Sequence, residues 1–172
     1  MELVDLYDEN RAPLGRTAER YGKKDPGEYR TVVHVCLFNS RGQLLIQKRT
    51  DGKRVWPGMW DVSVGGGVDA GETSRQGAER EFREELGYPL DLTGKRPVAT
   101  VNFPGGFDDF YIVEQELDLN ALILQAEEVE QVRWATEEEV LSMLDTSAFI
   151  PYPRSFLQFL FAMRGQFGFP MK

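Results

Sequence analysis

The sequence predicts an α/β fold in which a mixed β-sheet lies between helices, an α/β/α sandwich. Segments of high β-propensity precede and follow segments with helical patterning, an order that packs helices onto a sheet. The two or three helical segments cannot all cover one face of that sheet, so we expect helices on both faces. At 172 residues, 41% of them hydrophobic, the chain fits one domain with a substantial core.

The strand pattern begins with the first residues of the chain. Residues 2–8 alternate and predict a short strand, and residues 14–19 are expected to pair back on it as a hairpin. Residues 31–38 read TVVHVCLF, a continuous apolar run that predicts a buried central strand. A turn at residues 39–42 leads into a strand at residues 43–49, and the two strands are predicted to form a hairpin.

Helices and further strands follow. A short strand at residues 60–64 leads into a run of glycines. Residues 74–86 contain good helix formers and no proline, with Thr73 or Ser74 as N-cap and Gly87 as the terminating residue. The remaining predicted elements are strands at residues 97–103, 110–117 and 130–135, a helix from Thr136 to residue 144, and a helix at residues 152–163.

The glycine run and the predicted helix after it carry a chemical motif. Residues 66–88 read GGVDAGETSRQGAEREFREELGY. Gly66 is followed after five residues by Glu72, and after seven more by Arg80. Glycine allows a positive φ and close approach of the backbone to a ligand. Arg80 is positioned to reach back toward Glu72, and a guanidinium can hold a carboxylate with two hydrogen bonds.

The same helix is predicted to gather three carboxylates. Residues three and four apart share a helix face, so Glu81, Glu84 and Glu85 form one acidic cluster. Such a cluster repels itself unless a cation is present. Carboxylate oxygens suit Mg²⁺ or Mn²⁺, which can orient a diphosphate and activate water. The alternative interpretation, a solvated charged helix face, does not account for the upstream glycines and Glu72.

This spacing resembles the signature box of the Nudix hydrolases, enzymes that cleave a diphosphate linked to another group. The fixed positions of the pattern are all present, and its two aliphatic positions hold Phe82 and Tyr88. The resemblance implies a Nudix-type α/β/α sandwich and the following site. Metal binding is assigned to Glu81, Glu84, Glu85 and Gly66, and catalysis to Glu84, Glu85, Arg80 and Glu72.

Candidate substrate-binding residues lie outside the box. Arg49 and Arg54 are predicted to bind substrate phosphates, with Lys48 and Lys53 beside them as further candidates. Phe107, in a predicted loop at residues 103–111, is predicted to stack on the substrate. Glu128 is the candidate for the additional acid that many Nudix enzymes use.

One histidine and one cysteine lie together in the predicted central strand. His34 is expected to be a satisfied core residue rather than a catalyst. Cys36 is expected to be an inert buried thiol. As the only cysteine, it excludes an internal disulfide and favours a cytoplasmic protein.

Charge and hydropathy limit the partners. The formal net charge of −8 argues against long nucleic acid, which binds basic surfaces. No run of about 20 apolar residues predicts a membrane span. We therefore expect a small-molecule diphosphate substrate and Mg²⁺ (or Mn²⁺) as cofactor. Dimers are common in the Nudix family, so the resemblance makes a homodimer the oligomer to test.

Two other functions remain open from the sequence. Residues 37–66 are similar to the corresponding part of isopentenyl-diphosphate isomerases, but Gly65 stands where those enzymes need a cysteine. A non-catalytic nucleotide-binding module is the second alternative. The whole chain, 1–172, is predicted to be a single Nudix domain, with a core at about 28–145, an N-terminal hairpin extension at 1–27 and a C-terminal helix at 146–172.

Overall fold

The computed structural model describes residues 2–166 and 168. In this part of the chain a short 3₁₀ turn spans Leu119–Ala121. The strands are β1 Leu3–Tyr7, β2 Pro13–Glu19, β3 Arg30–Phe38, β4 Leu44–Arg49, β5 Trp60–Asp61, β6 Val64–Gly67, β7 Ala99–Phe103, β8 Gly106–Glu114 and β9 Val129–Ala135. The α-helices are α1 Ser74–Leu86, α2 Glu137–Asp145 and α3 Arg154–Ala162.

Strand β3 is the centre of a mixed sheet. It pairs in parallel with β8 along its whole length, from Arg30 opposite Gly106 to Phe38 opposite Glu114. On its other side it pairs antiparallel with β6, and β7 extends the sheet beyond β8. The apolar run that predicted a buried central strand is confirmed, because a strand with neighbours on both sides and helices above and below has no solvent face.

Helices cover both faces of this sheet, as predicted. One core contains Val33, Val35 and Leu37 of β3 with the α1 stripe at Ala78 and Phe82. The opposite core contains Cys36 and Phe38 of the same strand with residues of α2 and α3, namely Val140, Leu157, Leu160 and Phe161. The α/β/α sandwich is therefore confirmed, and side chains that alternate along β3 enter two different cores.

The hairpin predicted between residues 31–38 and 43–49 is largely wrong. Strands β3 and β4 pair only at Phe38 and Leu44, and β4 continues instead along β9. The buried hydroxyl of Ser63 stands where the two strands separate. It accepts a hydrogen bond from the Leu37 N–H (2.8 Å) and donates one to the Leu45 carbonyl (2.6 Å). A side chain thus satisfies backbone groups that a regular hairpin would pair directly.

The predicted strand at residues 60–64 is split for the same reason. Its first part, β5, pairs with β4, whereas β6 pairs with β3. Ser63 lies between the two parts. The chain therefore crosses from one arm of the splayed pair to the other just before the glycines, which places them beside the middle of the central strand.

The N-terminal hairpin of β1 and β2 forms a separate two-stranded sheet. It is attached to the turn that precedes α1. The Ala70 N–H donates to the Leu3 carbonyl (2.8 Å), and the Gly71 N–H donates to Asp5 Oδ2 (2.8 Å). The hairpin predicted for this region is confirmed, and these bonds hold it against the motif.

Helix α1 begins and ends where the sequence predicts. Thr73 is the N-cap and forms a reciprocal capping box with Gln76. Gly87 ends the helix with φ 64°, a left-handed conformation that favours glycine. Thr136 caps α2 in the same way, with Glu139 as its partner.

One predicted strand is shifted toward the N-terminus. The strand predicted at residues 110–117 is β8, which begins at Gly106 and includes part of the predicted loop. The predicted extensions, residues 1–27 and 146–172, include residues 1, 167 and 169–172, which lie outside the described residues. Across residues 2–166 and 168, no helix has both the length and the apolar character that a membrane span requires.

Candidate active site

A cleft of about 480 Å³ lies between α1, the glycines of β6, the loop after β4 and the N-terminal hairpin. It contains Arg80, Glu81, Glu84 and Glu85 of the box together with residues from distant parts of the sequence, whereas Gly66 and Glu72 do not line it. Its lining consists of Glu2, Arg20, Tyr21, Gly52, Lys53, Arg54, Gly65, Asp69, Arg80, Glu81, Glu84, Glu85, Gln125, Glu127 and Glu128.

Glycines of β6 make room for functional side chains. A Cβ on Gly66 would lie 2.0 Å from Cδ of Glu81, and one on Gly65 would lie 2.6 Å from the imidazole of His34. Neither glycine is among the described residues with positive φ. Close approach of side chains, and not a positive φ, is therefore what requires glycine at these two positions.

Arg80 organises the turn and the helix, as predicted. Its Nε donates to Glu72 Oε1 (2.9 Å) and its Nη1 to Glu84 Oε2 (3.0 Å). Its Nη2 donates to the Gly67 carbonyl (2.8 Å) and to Glu72 Oε2 (3.0 Å). Burial lowers the pKa of Arg80, but the bonds to Glu72 and the nearby Glu81 raise it on balance, so the guanidinium stays charged.

Glu81 and Glu85 are the buried carboxyl groups of the helix, with 7% and 2% of their surface exposed. Glu85 Oε2 accepts a hydrogen bond from Gln47 Nε2 (3.0 Å). Glu81 Oε1 lies 3.1 Å from Arg80 Nη1, yet it is buried without a hydrogen bond of acceptable geometry. Unsatisfied buried oxygens are uncommon in proteins and call for an explanation.

Burial and mutual repulsion raise the pKa of both carboxyl groups. For Glu85 burial is the larger cause and Glu81 the second, and the pKa rises to about 7. Burial also raises the pKa of Glu81, against the opposing effects of Arg80 and Arg20. Two acids that resist ionisation together form a site that a cation would stabilise.

The third predicted carboxylate is placed differently. Glu84 stays at the rim of the cleft, where its side chain is 48% exposed and paired with Arg80. Within residues 2–166 and 168, no three acidic, histidine or cysteine side chains are already arranged as an ion site. The helix brings together Glu81 and Glu85 as buried candidate ligands beside Gly66, with Glu84 one turn away on the outer edge.

Comparison with known proteins decides the family. The model of the NUDIX domain matches residues 28–155. This chain belongs to the Nudix superfamily. The resemblance predicted from residues 66–88 is confirmed, and the match extends well beyond that motif on both sides.

Relatives of the Nudix chain differ in the reaction their names describe. It is 46% identical to an uncharacterized Nudix hydrolase of Listeria monocytogenes, over 95% of this chain and 96% of the relative. It is 32% identical to an isopentenyl-diphosphate Delta-isomerase of Escherichia coli, over 88% and 87%. The crystal structure of DR0079 from Deinococcus radiodurans superposes with a TM-score of 0.74 at 29% identity, covering 92% and 99%.

The two arginines predicted to bind phosphate have different surroundings. Arg49 is buried and donates from Nε (3.1 Å) and Nη2 (2.9 Å) to the Val55 carbonyl. It holds the 50–58 loop in place and is not part of the cleft lining, so the structure does not support its predicted role. Arg54 does line the cleft of the Nudix domain, and its guanidinium lies over the ring of Tyr21, 5.0 Å from the centroid.

Of the predicted stacking residue Phe107 and the predicted additional acid Glu128, only Glu128 lies at the cleft. Phe107 is not on a loop at the site: it lies buried in β8, 5.7 Å from the ring of Tyr29 and beneath Arg11. The prediction failed because a hydrophobic residue after a glycine turn was assigned to the turn instead of to the strand. Glu128 lines the cleft and forms an ion pair with Lys53.

The cleft residues that come from the N-terminal hairpin were not predicted, namely Glu2, Arg20 and Tyr21. Nothing in the hairpin sequence indicates a ligand, because its contribution depends on docking against the motif turn. Lys53, a candidate phosphate-binding residue beside Arg54, does line the cleft.

His34 and Cys36 lie on the opposite side of the glycine strand and are satisfied core residues, as predicted. His34 Nδ1 bonds Asp108 Oδ1 at 2.7 Å, and the ring stacks on Phe110 at 4.8 Å. Burial lowers the pKa of His34, but attraction to Asp108 raises it to about 9. Cys36 is fully buried, and burial raises the pKa of its thiol, so the thiolate needed for nucleophilic chemistry is disfavoured.

Proposed function

We propose that the protein is a divalent-cation-dependent Nudix hydrolase that cleaves a diphosphate linkage in a small nucleoside-diphosphate-type substrate. In this reaction water adds to one phosphorus, and the bridging oxygen leaves with the other product. The observation that carries the proposal is the pair of buried carboxyl groups, Glu81 and Glu85, of which Glu81 has an oxygen without a hydrogen bond.

The residues fit Mg²⁺ or Mn²⁺. Both ions prefer carboxylate oxygens, and the buried pair provides them next to Gly66, which leaves the Glu81 carboxyl group uncovered. Glu81 and Glu85 would hold the ion, with Glu84 at the rim. The ion, when bound, neutralises diphosphate charge and lowers the pKa of a water molecule.

The protein's own side chains have separate tasks in this proposal. Arg80 is a positioning residue, since it fixes Glu72, Glu84 and the Gly67 carbonyl relative to α1. Glu84 and Glu85 are the candidates for accepting a proton from the attacking water.

Cations on the opposite wall would bind the substrate phosphates. Lys53 and Arg54 line the cleft facing α1. Lys53 is paired with Glu128, so this acid keeps the ammonium in place at the cleft. The described lining contains more acidic than basic side chains, so Lys53 and Arg54 are individual cations for a small anion. They are not part of a basic surface of the kind that binds long nucleic acid.

The isomerase alternative is favoured by the 32% identity to an isopentenyl-diphosphate Delta-isomerase. The site argues against it. Gly65 contributes no side chain, and the single cysteine, Cys36, is fully buried on the far side of β6. His34, the single histidine, is bonded to Asp108. The alternative of a non-catalytic module does not explain why every charged position of the box is retained.

The test is release of phosphate or of a phosphorylated product from a panel of nucleoside and isoprenoid diphosphates, with Mg²⁺ and with EDTA. We expect turnover in the presence of Mg²⁺ and none in the presence of EDTA. Glu85→Gln should lower kcat by roughly two to four orders of magnitude with an unchanged circular dichroism spectrum. Glu79→Gln is the matched control, because Glu79 is on the same helix but accepts a bond from the Leu92 N–H outside the cleft (2.7 Å).

Two outcomes would overturn the proposal. Near-wild-type turnover of Glu85→Gln would exclude the carboxyl pair from the reaction. Rearrangement of isopentenyl diphosphate without phosphate release would establish the isomerase alternative instead.

A further inference from the structure

We infer that the N-terminal hairpin supplies the nucleoside-binding wall of the cleft, with Tyr21 stacking on the base and Arg20 binding a phosphate oxygen. This inference rests on the proposed function and specifies its substrate class. Both residues precede residue 28, where the match to the family model begins, so they are features of this chain in addition to the shared box.

The hairpin is held at the site by bonds to the box itself. Its β1 strand accepts from the Ala70 N–H through the Leu3 carbonyl (2.8 Å), and Asp5 accepts from the Gly71 N–H (2.8 Å). The end of β2 is tied back to β1, because the Arg20 N–H donates to the Glu2 carbonyl (2.9 Å). Arg20 and Tyr21 therefore have a defined position relative to Glu81.

Arg20 is a cation of the cleft wall with unused hydrogen-bonding capacity. Its Nη1 lies 2.8 Å from Glu2 Oε2 and 3.9 Å from Glu81 Oε1, and its side chain is 18% exposed. Its Nε is buried and has no hydrogen-bond partner. Gly67 makes room for it, since a Cβ there would lie 2.9 Å from that Nε. A guanidinium placed beside a candidate metal ligand is suited to an oxygen of the same diphosphate.

Tyr21 is an exposed ring beside two guanidinium groups. Its residue is 53% exposed, and the guanidinium carbons of Arg20 and Arg54 lie 5.3 and 5.0 Å from the ring centroid. Arg54 is itself exposed, so it can leave the ring for a phosphate while a base takes its place. Bases stack on aromatic rings with little dependence on base identity, because each base has a π-face.

The rest of the lining selects the class of substrate. Among the described residues that line the cleft, Tyr21 is the one aromatic, and none is aliphatic; the others are charged, amide or glycine residues. An isoprenoid tail needs apolar surface to leave water, and this cleft does not offer it. A planar polar base needs one ring face and hydrogen-bonding neighbours. The lining therefore favours a nucleoside diphosphate over a prenyl diphosphate.

The experiment uses two non-hydrolysable ligands that differ by the nucleoside. α,β-Methylene-ADP and methylenediphosphonate are titrated calorimetrically into the full-length protein with Mg²⁺. We expect Tyr21→Ala to weaken α,β-methylene-ADP binding about tenfold and to leave methylenediphosphonate binding unchanged. Tyr21→Phe should bind both ligands as the wild type does. Arg20→Gln should weaken both ligands by a similar factor.

Arg16→Gln is the matched control for the arginine. Arg16 is also on the hairpin and is also paired with a glutamate, Glu28, but it does not line the cleft. We expect this variant to bind both ligands like the wild type. If Arg16→Gln loses as much binding as Arg20→Gln, the arginine–glutamate ion pairs of the hairpin act by stabilising its structure. That result would overturn the phosphate-binding role of Arg20.

The results separate this inference from the proposed function, because binding of these analogues needs no turnover. Unchanged α,β-methylene-ADP affinity in Tyr21→Ala overturns the stacking role, even if Mg²⁺-dependent hydrolysis is observed. A wild-type protein that binds methylenediphosphonate as tightly as the nucleotide analogue also overturns it. Retained nucleotide binding in a protein that never releases phosphate would keep the inference and remove the hydrolase proposal.

Discussion

Buried polar groups lie on both sides of the glycine strand β6, but their hydrogen bonding is incomplete on one side and complete on the other. On the side of α1, Glu81 and Glu85 are buried together, and Glu81 has an oxygen without a hydrogen bond. On the side of α3, His34 is bonded to Asp108 and Tyr152 donates to Asp61 Oδ1 (2.9 Å). The two clusters are separated by one strand with almost no side chains.

The difference supports the proposed site on the α1 side. Buried polar groups with complete hydrogen bonding rigidify a core, whereas incomplete ones are costly and persist where a ligand completes them. Both clusters have perturbed pKa values, those of Glu85 and His34 included. A shifted pKa by itself therefore does not distinguish the two sides, whereas hydrogen-bond completeness does.

The largest expected effect comes from filling the glycine strand on the α1 side. In Gly66→Ala the new Cβ would meet the Glu81 carboxyl group at 2.0 Å, so this side chain must move. We expect kcat of the hydrolase reaction to fall about 100-fold, measured with saturating Mg²⁺. Gly52→Ala is the control in the same cleft, since its Cβ would have no neighbour closer than 3.9 Å. Equal kcat values for the two variants would show that the close approach of the Glu81 carboxyl group to Gly66 is not needed for activity.

A smaller effect is expected from loosening the support of the acidic side. Arg80→Lys keeps the positive charge but cannot hold Glu72, Glu84 and the Gly67 carbonyl at once. Positioning residues around metal sites change activity by about 10–100-fold, and we expect a loss in that range together with a higher Mg²⁺ requirement. Arg83→Lys on the same helix is the control, because Arg83 is exposed and outside the cleft. Activity unaffected by Arg80→Lys would show that other contacts hold the turn.

Substitutions on the α3 side should change the free energy of unfolding and leave kcat unchanged. The pKa of His34 is raised from 6.5 to about 9, so the stability contributed by its Asp108 partner is fully present below pH 6.5 and lost as pH rises through about 9. Asp108→Asn should lower the free energy of unfolding by about 2 kcal/mol at pH 6, and by much less at pH 9.5, in urea titrations. Asp25→Asn, on an exposed loop, should show no such trend. A large loss of kcat in Asp108→Asn would place this side in the reaction and break the comparison.

The sequence by itself determined the motif helix and the centre of the sheet. Capping residues Thr73 and Gly87, the stripe that begins at Ala78, and the faces of Glu81 and Glu85 all depend on neighbours within a few turns. Local periodicity and backbone preference contain that information. The link between Arg80 and Glu72 was equally accessible, because both residues belong to one turn and the helix that follows it.

Only the tertiary structure decided which distant residues complete the cleft. Ser63 bridges the two strands of the expected hairpin where they separate. The Arg49 guanidinium donates to the Val55 carbonyl, and Phe107 is part of strand β8. Arg20 lies near Glu81, and Tyr21 lines the same cleft, because the N-terminal hairpin docks on the box turn. These outcomes depend on contacts between segments far apart in sequence, whose side chains compete for the same partners, and no local pattern records which of them wins.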